Sequence, residues 1–321
     1  MKEKLKKAVA LVPALLLAGC SAELPEPSVE DAAGAVASTT AAAVRRAAND
    51  AQTLRGVFYQ GGATGWADGD SVSIYTLGSM LHNVYTLSDG AGTAEGTFVR
   101  TSGKDNYTNS GQLYGLTNCR YLYSISATME GQAQIAVTLP WRLTFQDVCA
   151  AAGTSRMPIP YWSPVSFASD GKLRGEFRGL TAMLRVDLQA LPEDTRAVVL
   201  TTHSYTDLNE GSLDEGDGEA LSGTFSTVLE EGAALAVNPI FTSRDTLRVA
   251  VDRQSADYRY VYIPVISNRY SRLHVIAVTG DTKYRYDWRG ALLQTFTSAT
   301  AFEPNTIVDL DIDTGIRPVR R

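Results

Sequence analysis

From Thr53 onward, apolar residues recur at every second position in short runs, and a period of two is the signature of strands that bury one face. Gln134 to Leu139 alternates strictly. Asp70-Ser71-Val72-Ser73-Ile74-Tyr75-Thr76-Leu77 alternates small or polar residues with apolar ones, and Thr93 to Arg100 and Arg120 to Thr128 share that texture. Gly-rich punctuation separates the runs, as at Gly61-Gly62 and Gly90-Ala91-Gly92. One buried and one wet face is the habit of antiparallel sheets. Helical periodicity is weak; the exception is one predicted turn over Phe145 to Ala152, ended by Gly153.

A second series of runs begins near Gly171. Leu173 to Phe177, Thr181 to Leu188, Ala197 to Thr202, Gly223 to Thr227, Thr246 to Val251, Tyr258 to Pro264, Leu273 to Thr279 and Thr306 to Ile312 all read as strands. Nothing between them is long enough for a crossover helix, so sandwiches are expected rather than a parallel α/β sheet. The chain is therefore expected to be all-β, with two consecutive antiparallel β-sandwich domains at residues 53–168 and 169–321, dividing around Phe167 to Gly171.

The N-terminus reads differently. Lys2, Lys4, Lys6 and Lys7 precede an apolar stretch, Ala8 to Leu17, which has the length of a signal peptide and is too short for a permanent span. Leu17-Ala18-Gly19-Cys20 follows, with two small residues before a thiol, and this resembles the lipobox of bacterial lipoproteins. Residues 1–19 are thus expected to be a lipoprotein signal, with Cys20 the acylated first mature residue. Acyl chains bind a bilayer by about 0.8 kcal/mol per buried CH₂. Ser21 argues against inner-membrane retention and for the outer membrane. Residues 20–52 are rich in Ala, Ser, Thr and acids, with too few large apolar side chains to fold alone, and are expected to be a tether.

A net charge of −6 disfavours nucleic acid as a partner, because phosphate binding needs a basic footprint. Of three cysteines, Cys119 and Cys149 remain after lipidation; they pair in an oxidising periplasm or sit as small buried residues, and the sequence leaves both open. His82, His203 and His274 stand in no ligand spacing, so no metal or cofactor is expected. No nucleophile elbow, phosphate loop or dinucleotide fingerprint marks a catalytic site, and the chain is not expected to be an enzyme. The acidic run Asp214 to Glu219 lacks the spacing of a calcium loop and reads as a solvated hairpin connection. Tyr258, Tyr260 and Tyr262 share a strand face and read as cross-strand packing before a carbohydrate platform.

Three stretches together resemble the fimbrillin family, the pilins of type V pili in Bacteroidetes. The first is Leu54-Arg55 through Trp66, Gly69-Asp70 and Ser71 to Tyr75. The second is Met157-Pro158-Ile159-Pro160-Tyr161-Trp162 through Phe167, then Phe177 to Val186 with Leu180-Thr181-Ala182 at its centre. The third is Pro304-Asn305-Thr306-Ile307-Val308-Asp309-Leu310. The resemblance implies transthyretin-like sandwiches, exposure at the cell surface and assembly rather than catalysis. It implies that an arginine-specific protease removes the lipidated segment with the first strand, and that a neighbouring pilin subunit donates a strand to the groove. Arg46 and Arg55 are the candidate cleavage positions. The segment from Ser21 to about Arg55 would then include a strand that completes the first domain, with Val36 and Val44 its best buried candidates in the tether, and with Leu54, Val57 and Tyr59 expected on one face. After the closing strand only Thr314 to Arg321 remain, and Gly315, Pro318 and three arginines make a poor donated strand. That tail suits a tip subunit, which need not donate, or a lipid-retaining anchor better than a stalk, with a host or bacterial surface ligand to be bound. A glycan-binding surface lipoprotein is the alternative.

Overall fold

The computed structural model describes residues 52–57, 65–76, 82–103, 107, 112–117, 122–128, 131–149, 159–203, 218–238, 243–284, 287–312 and 317–320. The first half supplies β1 (Gln52–Val57), β2 (Ser71–Thr76), β3 (His82–Asp89), β4 (Glu95–Ser102), β5 (Leu113–Thr117), β6 (Leu122–Ala127), β7 (Ala133–Leu139), β8 (Arg142–Leu143), the helical turn α1 (Phe145–Val148), β9 (Tyr161–Phe167) and β10 (Leu173–Gly179). The second supplies β11 (Ala182–Asp187), β12 (Thr195–Thr201), β13 (Ser222–Val228), β14 (Ala236–Val237), β15 (Ser243–Arg244), β16 (Thr246–Ala250), β17 (Tyr260–Val265), β18 (Arg272–Tyr284), β19 (Asp287–Thr297), β20 (Ile307–Asp309) and β21 (Arg317–Arg320). The all-β expectation holds: among the described residues, helix is confined to α1 and a 3₁₀ turn, Leu188–Ala190.

The first expected sandwich is instead a closed barrel, ordered β1-β10-β9-β5-β2-β3-β4 with β4 returning to β1. Its interior holds Leu54, Trp66, Val72, Ile74, Tyr85, Phe98 and Phe177, all buried. Small residues oppose the large ones. A Cβ on Gly96 would lie 2.6 Å from Leu87, 2.7 Å from Phe98 and 2.9 Å from Trp66, and one on Gly115 would lie 2.6 Å from Phe177. A narrow barrel closes only if such positions stay empty for the rings facing them. Trp66 meets Phe98 and Phe177 edge-on at 4.9 and 5.7 Å, which suits the quadrupoles of both pairs.

Outside the barrel, the sheets are ordered β17-β11-β20, β21-β19-β18-β12-β16-β8 and β14-β13-β7-β6. They are not purely antiparallel as expected: β1–β10, β11–β20 and β16–β8 are parallel pairs. Three groupings also draw on both sides of residue 168, since β10 belongs to the barrel, β7 pairs with β13 and β8 pairs with β16. The sheet around β11 explains how the barrel meets the larger core. Ala182, Leu184 and Val186 face that core with Val261 and Ile263, while Met183 and Tyr262 reach into the barrel core. With both faces covered, β11 is buried almost without alternation.

The C-terminal tail departs from expectation. Arg317–Arg320 forms an edge strand antiparallel to β19, with Pro318 opposite Ala291. Proline lacks an N–H and is tolerated where one side of a strand needs no partner.

Candidate functional site

The strand that would leave in an exchange is β1, and its seat can be described residue by residue. On one side it runs antiparallel to β4, with Gln52 opposite Phe98, Leu54 opposite Gly96 and Arg55 opposite Glu95. On the other it runs parallel to β10, with Arg55 opposite Glu176. It is the only strand bridging β4 and β10 in the barrel order, so its absence would leave two facing edges.

Alternation along β1 sorts its anchors. Gln52 and Leu54 point inward and are buried, whereas Thr53 is half-buried and Arg55 exposed. Leu54 shares its inward face with Gln52, two residues away, while the side chain of Val57 is outside the described residues. Tyr59 lies outside the described residues. Leu54 stands opposite Gly96 in the ladder and is buried in the same core as Trp66 and Phe98. Gln52 accepts a hydrogen bond from the Leu173 N–H through Oε1 at 2.7 Å, tying β1 to the start of β10. Arg55 adds an exposed ion pair to Glu176 at 3.7 Å, which also lies 3.4 Å from Arg178. Exposed pairs of this kind contribute about 0–1 kcal/mol. The seat is therefore held by ladder bonds, one leucine and one glutamine.

A groove of about 1400 Å³ runs along the outer side of this seat, walled by Thr53, Arg55, Trp162, Ser163, Arg174 and Glu176 among others. Its walls mix acids and arginines with apolar side chains such as Leu113, Tyr114 and Leu229.

The Gly69-Asp70 pair opens β2 for a local reason. Gly69 has φ +82°, a left-handed turn conformation, and Asp70 buries its carboxylate under the Ala67 N–H at 2.9 Å. Trp66 donates its indole N–H to the Ala94 carbonyl at 3.0 Å and exchanges backbone bonds with Gly92 and Thr93. The motif thus clamps the β3–β4 hairpin over one end of the barrel.

The other residues singled out in the sequence fall as follows. Cys20, Arg46 and Cys119 lie outside the described residues, as do Asp214 to Asp217. Cys149 is buried at the end of α1, its Sγ 3.9 Å from the Gln146 carbonyl. Glu219 accepts from Asn268 Nδ2 at 2.7 Å and from the Ser271 N–H and hydroxyl at 2.7 and 2.8 Å, so its carboxylate is a latch on the 268–271 turn. His82 stacks on Tyr75 at 4.7 Å, and Tyr75 in turn stacks on Tyr114 at 5.3 Å; burial, then Tyr75, pushes the Tyr114 hydroxyl up to about 12. His203 Nε2 lies 2.7 Å from Asp245 Oδ2, both buried. His274 Nδ1 is 2.8 Å from Thr295 Oγ1, and burial with the nearby Arg272 charge holds His274 down at about 4. Tyr258 packs edge-on against Phe145, Tyr260 lies under the guanidinium groups of Arg185 and Arg259 at 5.1 and 5.0 Å, and Tyr262 is buried. These rings are packed and covered.

No family model matches the chain, and no curated protein matches it. Similar solved structures include a candidate cell adhesion protein of Bacteroides ovatus, 10% identical with a TM-score of 0.42 over 84% of this chain and 95% of that one. Another, from Bacteroides uniformis, is 12% identical with a TM-score of 0.39 over 84% of this chain and 96% of that one. The tip fimbrial protein Mfa3 of Porphyromonas gingivalis, with its C terminus truncated, is 9% identical with a TM-score of 0.30 over 84% and 98%. At such identities and scores, the likeness carries no argument about this chain.

Proposed function

We propose that this chain is a structural and adhesive subunit of a cell-surface pilus, assembled by strand exchange. In this reading Cys20 carries the lipid that holds the protein at the outer membrane, exposed on the cell surface. An arginine-specific protease then cuts after Arg46, which lies ahead of β1 and leaves it in place, or after Arg55, which frees Gln52 to Arg55 with the N-terminal segment. Losing β1 leaves the β4 and β10 edges facing each other, and a strand from another subunit fills the gap with the backbone groups that β1 had satisfied. The role is assembly and adhesion, not catalysis.

The observation that carries this reading is the seat of β1. The first described strand of the chain closes the barrel from between β4 and β10, and its inward anchors are Gln52 and Leu54. The resemblance of the Leu54-Arg55, Leu180-Thr181-Ala182 and Pro304 to Leu310 stretches to fimbrillins supports it independently. A tail already paired with β19 suits a tip or an anchor that donates nothing better than a stalk. The alternative, a glycan-binding surface lipoprotein with the tyrosines or a loop as its site, needs no exchange.

Limited arginine-specific digestion tests the proposal. The trimmed protein is expected to stay folded, and to self-associate or bind a donor-strand peptide. Arg46→Ala combined with Arg55→Ala is expected to block trimming and polymer ladders while the fold survives. Trimmed protein that stays monomeric and takes up no strand peptide would overturn the exchange.

A further inference from the structure

β1 buries a glutamine beside a leucine. Gln52 and Leu54 are 0% and 1% exposed, and Leu54 belongs to the core of Trp66, Val72, Ile74, Phe98 and Phe177. An amide taken out of water costs stability unless its polar atoms are matched, so a glutamine in this place needs a reason.

The reason lies at the start of β10. Ala168 donates its N–H to the Lys172 carbonyl, so the next pair in that hairpin, Phe167 and Leu173, is of the kind whose N–H groups point away from each other. The Leu173 N–H therefore points toward β1, and Leu173 is fully buried. The parallel β1–β10 ladder starts only at Arg55 and Glu176, three residues further along. Gln52 stands level with Leu173 in that register, and its side-chain Oε1, rather than a main-chain carbonyl, accepts from the Leu173 N–H at 2.7 Å.

A strand that replaces β1 inherits this donor. In the same register it has to bring an acceptor on its own side chain, and leaving a buried N–H unmatched weakens a complex by roughly fivefold to 150-fold. Two residues on, the strand faces Gly96 across the β4 ladder and needs a leucine-sized side chain for the core. The outward position of Arg55 asks less. It is exposed, with Glu95 opposite on one side and Glu176 3.7 Å away on the other, so a basic residue is favoured there only slightly.

We propose that the seat of β1 is selective: it takes an extended strand of a different subunit that carries a hydrogen-bond-accepting side chain of glutamine length two residues before a leucine-sized apolar one. This rests on the strand-exchange reading and names the partner for it. The chain's own tail does not fit. Setting Val319 in the place of Leu54 puts Arg317, which only donates, against the Leu173 N–H. Setting Ile316 there puts Thr314, whose hydroxyl ends two bonds short of a glutamine Oε1.

The test starts from the full chain in detergent. It is cut with an arginine-specific protease, the protease is inhibited, and labelled peptides are titrated in against the same freed segment, with anisotropy reading their uptake. The peptides are residues 48–55, the same with Gln52→Met, Leu54→Ala or Arg55→Ala, and the tail, residues 314–321. Methionine is unbranched like glutamine and more apolar, so a seat that only buries surface takes the Gln52→Met peptide at least as well as the parent. A seat that needs an acceptor takes it at least roughly fivefold more weakly, which is the expected result. The Leu54→Ala peptide should bind at least about thirtyfold more weakly, the Arg55→Ala peptide within about fivefold, and the tail no better than the Leu54→Ala peptide. Starting from the uncut chain, Gln52→Met should release the fragment beginning at Gly56 at least roughly fivefold faster than the parent, a readout that does not depend on the cut protein staying folded. The selectivity is overturned if the Gln52→Met peptide or the tail binds as tightly as the parent peptide, or if Gln52→Met leaves Gly56 release unchanged. Failure of every peptide to bind, the parent included, instead overturns the exchange itself, and the selectivity falls with it.

Discussion

If β1 is a strand poised to leave, cutting after Arg55 must wait for it to open, because Arg55 is paired to Glu95 on one side and Glu176 on the other. Leu54 is the perturbation that isolates this opening. Its side chain is 1% exposed in the barrel core, and truncating a buried leucine to alanine costs about 2–5 kcal/mol. Nearly all of that cost falls on the closed state of β1, since the opened strand has Leu54 in water in either protein. When reclosing outruns cleavage, the rate follows the population of the open form, so Leu54→Ala should speed release of the fragment starting at Gly56 by roughly 30-fold to a few thousand-fold. The control is Leu247→Ala, equally buried on β16 in the larger core, which should cost a comparable amount without touching β1. Time courses with an arginine-specific protease, read by intact-mass spectrometry, give the ratio of the Gly56 fragment to fragments starting at Val186. Val186 lies in the doubly covered β11, where cutting requires global unfolding. Leu54→Ala should speed both fragments, since Leu54 is in water in the opened and in the unfolded chain alike, whereas Leu247→Ala should speed only the Val186 fragments and so lower the ratio. A Gly56 rate unchanged by Leu54→Ala, or raised as much by Leu247→Ala, would refute local opening of β1.

Gly96→Ala should destabilise the barrel by about 1–3 kcal/mol, because its new methyl would meet Leu87, Phe98 and Trp66 inside 3 Å; chemical denaturation reads this as a lower midpoint at unchanged slope. Acidification should cost stability through His274: its folded value, about 4, lies below the unfolded one, so the unfolded chain binds the extra proton. That contribution is whole above about pH 6.5 and is lost as pH falls toward 4, and a His274→Gln variant should show a flatter melting-temperature profile across that window. Cys20→Ala should abolish lipidation; fatty-acid probe labelling of the variant at the parent's level would contradict the lipobox reading.

The sequence by itself determined the class of local structure. Alternation over Ser71 to Thr76 and Gln134 to Leu139 specifies strands because one-sided burial writes itself into every second residue, and β2 and β7 lie where those runs are. Gly69-Asp70 was legible for the same local reason, since a left-handed glycine and a capping carboxylate act within a few residues. What is buried on both sides left no such mark. β5, Leu113–Thr117, is buried throughout, with Leu113 in the barrel core and Tyr114 and Leu116 in the larger one, so its sequence does not alternate. Neither it nor the long β19 is legible as a strand from the sequence. Closure of the barrel was equally out of reach, because it depends on β1 meeting β10 more than a hundred residues later and on empty space at Gly96 and Gly115. The bond from the Leu173 N–H to Gln52 likewise exists only once β1 lies beside β10. Period and turn chemistry are properties of neighbours along the chain; closure, double burial and a buried donor's acceptor are properties of neighbours in space, which only the tertiary structure decides.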